Sequence, residues 1–425
     1  MTSTVRAIAA LLLSAAILLA GNGLQSTLIS LRANLEGFSL AAVGLLMSAY
    51  FAGFISGCVL VPRIVARAGH IRAFAALSAI AAASALIFPL SVDFLLWAVL
   101  RAITGFCFAG LYMIVESWIN ERAVNENRGK VLSIYRIVDL AAITGGQFLL
   151  TVADPASFQL FSLVAILISL AIVPVSLTRS RAPQPLVKTT LDVAKLMRVS
   201  PLAVAGCFAI GLASGAFWGV GPVFVQALGY DTAMVAAFLS AAIIAGALAQ
   251  WPLGLLSDMI DRRRVLVGVA MAAAASGVFL FMLAATSQVV LLIGAGLYGF
   301  FAMPMFGLSA AHANDHAERD EFVAVSGGLL LVFGLGSVVG PAVAPAIMSA
   351  AGPSALFAYT ALVHSALFVF GVYRMTRRGP TPATAQADYV PVPRTTPGVF
   401  EMDPRAPSDD DVCDPTDDDE FAAPA

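Results

Sequence analysis

Apolar runs long enough to cross a bilayer follow one another from residue 7 to about residue 374, broken by short polar stretches. The breaks divide the chain into twelve predicted spans, near 7–30, 40–61, 73–92, 94–118, 130–153, 157–177, 199–225, 233–256, 265–286, 289–311, 323–350 and 355–374. A crossing helix needs about 20 residues, because each contributes 1.5 Å of rise across a hydrocarbon core roughly 30 Å thick. The connections alternate in character. Those after spans 2, 4, 6, 8 and 10 carry charge; those after spans 3, 5, 7, 9 and 11 are short and nearly uncharged.

The positive charge is one-sided. Arg63, Arg67 and Arg72 follow span 2, Arg122, Arg128 and Lys130 follow span 4, and Arg179, Arg181, Lys188, Lys195 and Arg198 follow span 6. Arg262, Arg263 and Arg264 follow span 8, Arg319 follows span 10, and Arg374, Arg377 and Arg378 close span 12. Only Arg32 falls on the other side. Loops rich in Lys and Arg stay in the cytoplasm, so both termini and the middle loop are expected there. Arg6 and the apolar run to Ala20 imitate a secretory signal, but the run continues to about Leu31, which predicts a retained first span.

Composition agrees with the pattern. Charged residues are 12% of the chain, against about 25% in globular proteins, and mean hydropathy is +0.88. This is the composition of a polytopic membrane protein in contact with lipid on most sides. The net charge of −2 divides into −7 after residue 374 and +5 before it, and nothing in it suggests nucleic-acid binding. Cys58, Cys107, Cys207 and Cys413 lack zinc or disulfide spacing and read as packing residues. No phosphate-binding loop follows a predicted strand, and no nucleophile or cofactor constellation is evident, so the chain is not expected to be an enzyme. From 379 the sequence turns to Pro, Thr, Ala and Asp and ends in an acid run; 379–425 is expected to be a disordered acidic cytoplasmic tail, solvated or partner-binding.

The chain also repeats itself. Placing Gly69 over Asp261 brings the loop after span 2 onto the loop after span 8, and the same offset sets span 1 against span 7. Two six-helix bundles, 1–178 and 199–378, are therefore expected around a linker, 179–198, that contains Pro183 and Pro185. Parallel repeats of this kind place a substrate site near mid-membrane between the halves.

Four charges lie inside spans: Arg101 and Glu116 in span 4, Arg136 and Asp139 in span 5. A charge at the bilayer centre costs about 2.5–3.5 kcal/mol on insertion scales, so such groups face a wet cavity or each other. From the cytoplasmic edge, Glu116 is about 4 Å deep, Arg136 about 10 Å and Asp139 about 15 Å. Arg136 can reach Glu116 across the hairpin or Asp139 one turn along its own helix; Arg101 is too far from Glu116. Two readings stand. The group locks the hairpin as a satisfied network, or a carboxylate takes up a proton and an arginine holds an anionic substrate.

The loop GLLSDMIDRRR, Gly254 to Arg264, resembles the signature loop of the major facilitator superfamily, with its glycine, aspartate and basic cluster. The first-half counterpart PRIVARAGHIR is degenerate, with Pro62 and Ala66 in place of the glycine and aspartate, although Arg67, Gly69 and Arg72 fit. Arg101 with Thr104 and Gly105 is similar to the superfamily's second motif, whose arginine is often tied to proton coupling. GLGSVVGP, containing Gly334, Gly336, Gly340 and Pro341, resembles its glycine–proline antiporter motif, displaced into the second half. Gly53 and Gly57 read as helix packing. The runs ESWIN, NRGKVLSIYR and QWPLGLLSDMIDRRR are similar to the bacterial YcaD-like group of transporters.

The resemblance implies an all-α fold of twelve transmembrane helices in two pseudo-symmetric bundles. It also implies alternating-access transport of a small solute across a bacterial inner membrane, proton-coupled, by a monomer without cofactor or metal; scarce cavity charge and abundant aromatics lean towards export of a modestly polar or amphipathic solute. Its cavity-lining spans select Asn22, Gln25, Arg101, Tyr112, Trp218 and Tyr298 as substrate-binding residues. Arg101, Glu116, Arg136 and Asp139 form the coupling or buried-charge network. Arg67, Gly69, Gly254, Asp258, Asp261, Arg262 and Arg263 form a cytoplasmic gate. HANDHAERDE, with His312, Asp315, His316 and Glu318, reads as a solvated loop rather than a metal site. The alternative class is a transporter-derived sensor acting through the acidic tail.

Overall fold

The computed structural model describes residues 2–123, 127–176, 192–318, 321–377, 379, 386 and 388–406. The first half contains α1 (Thr2–Leu35), α2 (Leu40–Ala68), α3 (His70–Ile87), α4 (Phe94–Arg122), α5 (Arg128–Phe148), α6 (Gln159–Leu170) and the short α7 (Ile172–Ser176). After α8 (Val193–Val199) come α9 (Pro201–Ala227), α10 (Thr232–Met259), α11 (Arg262–Leu283), α12 (Gln288–Ala302), α13 (Met305–Asn314), α14 (Phe322–Ala351) and α15 (Ala355–Arg377). No strand occurs among the described residues.

Side-chain caps start many of these helices. Asp93 accepts from the Leu96 N–H at 2.7 Å, Asp231 from that of Met234 at 2.9 Å, and Ser39, Ser200 and Ser287 act in the same way. Among the described residues, ten helical segments are long and apolar enough to cross a membrane, α12 and α13 together making one of them. α5 takes the place of the expected fifth span but carries four charged residues, and the sixth is broken between α6 and α7. Large apolar side chains such as Leu13, Ile80, Leu248, Met282 and Leu362 are exposed, the surface expected of helices that face lipid.

Pairing between helices occurs twice in the same pattern. α1 packs on α5, α2 on α4 and α3 on α6; correspondingly α9 packs on α14, α10 on α12 and α11 on α15. The halves meet through α1 with α9, α2 with α14 and α5 with α10. Close approach depends on glycine. A Cβ on Gly105 of α4 would run into the Tyr50 carbonyl of α2, and one on Gly53 would meet the Ala102 carbonyl. Because both obstacles are backbone, Gly105→Ala is expected to destabilise the protein by about 3 kcal/mol, the upper end of the overpacking range. Thermal unfolding in detergent checks this, and an unchanged Tm would contradict it. In α14, Gly336 and Gly340 lie against α9 backbone at Phe208 and Leu212, so the GLGSVVGP run serves helix packing here.

On the face away from the arginine-rich loops the halves are joined directly. Ser30 Oγ donates to the Gly219 carbonyl at 2.9 Å, Asn34 Nδ2 to Gln226 Oε1 at 3.0 Å, and Ser48 Oγ to the Val338 carbonyl at 2.6 Å.

The C-terminal segment departs from expectation. The 407–425 acid run and linker residues 179–191 lie outside the described residues, but residues 388–406 are not a solvated tail. They enter the arginine-rich face, form a 3-10 turn over Pro397–Met402 and pack on α4, α5 and α14. Val399, Phe400 and Met402 are buried. The reason is local: YVPVPRTTPGVFEM contains enough apolar positions to bury, and the acid run begins only after it. HANDHAERDE is likewise not a solvated loop in its first part, because His312 is buried on α13 and Asp315 pairs with Arg262 at 3.4 Å.

Candidate functional site

A cavity of about 230 Å³ lies between the halves. α1 contributes Asn22, Ser26 and Thr27, α2 contributes Met47, Tyr50 and Phe54, and α5 contributes Arg136, Asp139 and Gln147. The second half supplies Trp218, Ile243, Met303, Leu331 and Phe333, and the C-terminal segment adds Arg394 and Thr395. The wall is mainly apolar and aromatic, with a few converging polar groups, the character of a small-molecule site.

Two of its charges sit on one face of α5, and the third, Arg394, comes from the C-terminal segment. Arg136 Nη1 and Asp139 Oδ2 are 2.5 Å apart, three residues along one helix, with side-chain exposures of 12% and 4%. Arg136 Nε also reaches Gln250 Oε1 of α10 at 3.4 Å, a link between the halves. Of the two partners left open for Arg136, the structure selects Asp139. Glu116 is fully buried and accepts instead from Tyr135 Oη at 2.9 Å and from the hydroxyls of Thr395 and Thr396. Tyr135 was not among the predicted residues. Its signal was the need of a buried phenol for a partner, one position before Arg136.

Asn22, Tyr112 and Trp218 line the cavity, and Asn22 Oδ1 accepts from Tyr50 Oη at 3.1 Å. Gln25, Arg101 and Tyr298 do not line it. Gln25 is fully buried in α1, with no hydrogen-bond partner for its amide among the described residues. Arg101 lies behind the wall, its guanidinium 4.4 Å from the centre of the Tyr50 ring and 3.3 Å from Met47 Sδ. A cation on an aromatic face recovers part of its lost hydration, which lets Arg101 stay buried without an ion pair among the described residues. Tyr298 belongs to the second-half core, stacked on Phe217 at 5.2 Å and edge-on to Phe357 at 5.8 Å.

The model of the Major Facilitator Superfamily matches residues 11–267 and again 204–404. The chain belongs to this superfamily. It is 26% identical over 359 residues, 84% of this chain and 92% of the relative, to the Uncharacterized MFS-type transporter YcaD of Escherichia coli O17:K52:H18 (strain UMN026 / ExPEC). The crystal structure of the nucleoside transporter NupG superposes with a TM-score of 0.71 at 14% identity, over 88% of this chain and all of that one. A D-xylose-proton symporter gives 0.68 at 14%, over 90% and 98%. The superfamily's fold and membrane location, and a transporter rather than an enzyme, follow.

The superfamily's signature loop is built differently from the expectation in one respect. Gly254 does not admit a neighbouring helix; a Cβ there would strike the ring of Tyr389, which also abuts Gly307. Asp258 receives the Tyr389 N–H at 3.0 Å and Arg262 Nη2 at 2.8 Å. Asp261 caps α11 and holds Arg263 through two side-chain bonds, of 3.0 and 2.7 Å. Burial pushes the Asp261 carboxyl up, but the hydrogen bonds and charge of Arg263 outweigh it and hold the group below its ordinary value. In the first half Arg67 is exposed without an ion pair among the described residues, and Gly69 makes the α2–α3 corner at φ +82°. The ion-paired loop is thus in the second half.

Glu401, at the end of the segment, accepts from Asn120 Nδ2 at 3.0 Å and lies near Arg128. Burial raises its carboxyl from 4.5 to about 7, against the opposing pull of Asn120 and Arg128. Docking therefore binds a proton: the contribution of Glu401 is fully present below 4.5 and is lost as pH rises through about 7. Hydrogen exchange of residues 388–406 is expected to become roughly fiftyfold faster between pH 5 and 7.5, after correction for intrinsic exchange. Glu401→Gln should flatten that dependence, and the same slope in the variant would refute the assignment.

Proposed function

We propose that the chain is a proton-coupled secondary transporter that exports a modestly polar or amphipathic solute, with its arginine-rich face in the cytoplasm. One observation carries the reading: a carboxylate–guanidinium pair, Asp139 with Arg136, lines a cavity between two repeated halves rather than packing away from it. Asp139 then takes up a proton, which frees Arg136, and solute and proton compete for the same wall. Arg101, held on the Tyr50 ring behind that wall, senses the occupant through Tyr50 and Met47. Rocking of one half against the other exposes the cavity to each side in turn. Aromatic lining and scarce charge favour an amphipathic cargo over a strongly ionic one.

The test is a flux screen in proteoliposomes with an imposed pH gradient, run in both directions over nucleosides, sugars, amphipathic amines and amphipathic acids. At least one class should accumulate against its own concentration gradient, and only while the pH gradient is imposed. Accumulation that does not depend on the pH gradient for every class that moves, or movement of none, would reject the reading.

A further inference from the structure

We propose that residues 388–406 are an intramolecular ligand of the central cavity, whose arginine-rich mouth is a recognition site for a guanidinium flanked by hydroxyl donors on an extended apolar segment. The cavity is taken here as the transport path, on the reading above, but occupancy by the segment is a separate property and is tested separately.

Four independent contacts specify the segment. Thr395 and Thr396 each donate to one oxygen of Glu116, which is otherwise served only by Tyr135 among its hydrogen bonds here. A buried carboxylate oxygen without a donor is costly, so the site is chemically incomplete without hydroxyls at that place. Arg394 lines the cavity with its guanidinium 5.2 Å from the centre of the Phe333 ring. Tyr389 fills a recess that exists because α10 and α13 present glycines: a Cβ on Gly254 would collide with its ring and one on Gly307 with its hydroxyl. Val399, Phe400 and Met402 supply the apolar anchor.

The position of these contacts gives the segment its consequence. Its turn lies on α4 and α5 of the first half and on α14 of the second, and Tyr389 is fixed to α10 through Asp258. A wedge bonded to both halves opposes the relative movement that alternating access requires, and it closes the mouth through which a solute would pass. The segment must leave before the carrier turns over.

Occupancy is read by Cys58, which lines the same cavity. The probe is a water-soluble maleimide on the full chain carrying C107A, C207A and C413A. Labelling should be slow in that parent and roughly tenfold or more faster with V399D and F400D added, because reaction no longer waits for the segment to leave. Both added changes lie in the segment, so the bundle sequence is the same in the two chains compared. A synthetic peptide of residues 388–406 should return the rate towards the parental one, and the same peptide with R394A, T395V and T396V should not. Parental labelling in the V399D/F400D chain, or equal protection by both peptides, would overturn the proposal. Neither readout involves flux, so failure of the transport reading leaves this result interpretable.

Discussion

Asp139→Asn is expected to abolish gradient-driven accumulation while leaving solute exchange in place. One proton moving down a one-unit pH difference releases about 1.4 kcal/mol, enough to sustain about a tenfold solute gradient. In wild-type proteoliposomes the concentration ratio should approach that value. In the variant it should fall to one, because an amide at position 139 keeps the size and part of the hydrogen bonding of the carboxylate but cannot release a proton. Exchange of solute across the membrane without a gradient separates loss of coupling from loss of the fold. A variant that still accumulates solute tenfold would remove Asp139 from the coupling step.

Arg136→Met is expected to destabilise the protein by about 3 kcal/mol, the lower end of the range for removing one member of a buried ion pair. The cause is Asp139, left 4% exposed without its ion-pair partner and with only the charge of Arg394 still acting on it. Its escape is to take up a proton, so the loss should be larger at pH 8 than at pH 5. The double variant R136M/D139L, which removes both charges, should recover most of the stability, since an apolar pair of similar volume in place of a buried ion pair is often neutral or better. Thermal unfolding of the four proteins of this cycle gives the coupling directly. Additive losses in the double variant would mean that the two side chains are not a pair.

Much of the fold could be read from the chain because a membrane imposes a simple rule on it. Apolar length marks the helices, and the repeat was visible in the offset between PRIVARAGHIR and GLLSDMIDRRR. The packing pairs of the second half follow those of the first, as that offset implied. Local pairs were legible too: Arg136 and Asp139 are three residues apart on one helix, within reach by geometry alone. What lay hidden depended on contacts distant in sequence. Glu116 meets Thr395 and Thr396 across about 280 positions, and no local pattern connects them. Arg101 was placed on the cavity wall because span 4 lines the cavity in the superfamily that the chain resembles; its side chain lies instead on the Tyr50 face, behind the wall. Tyr298 has the same composition cue as Tyr112, and only helix rotation sends one into the second-half core and the other to the cavity.

The C-terminal segment shows the limit of composition. Averaged over 379–425, acids and prolines dominate and predict solvation. Taken as a stretch, 389–402 holds six apolar or aromatic side chains, Tyr389, Val390, Val392, Val399, Phe400 and Met402, spaced around Arg394 and two threonines. In sequence the tail therefore divides between Met402, the last of those side chains, and the acid run that begins at Asp409, a division carried by apolar positions as much as by charge.

Linkage makes the central claim testable from the other side, since solute and proton sites coupled by free energy must act on each other reciprocally. Proteoliposomes loaded with a pH-reporting dye and given a solute gradient, with no imposed pH difference, should show proton movement that starts with solute addition in wild type and is absent in Asp139→Asn. Proton movement of equal size in both would mean that the cavity pair does not carry the proton, and the account would fail at its centre.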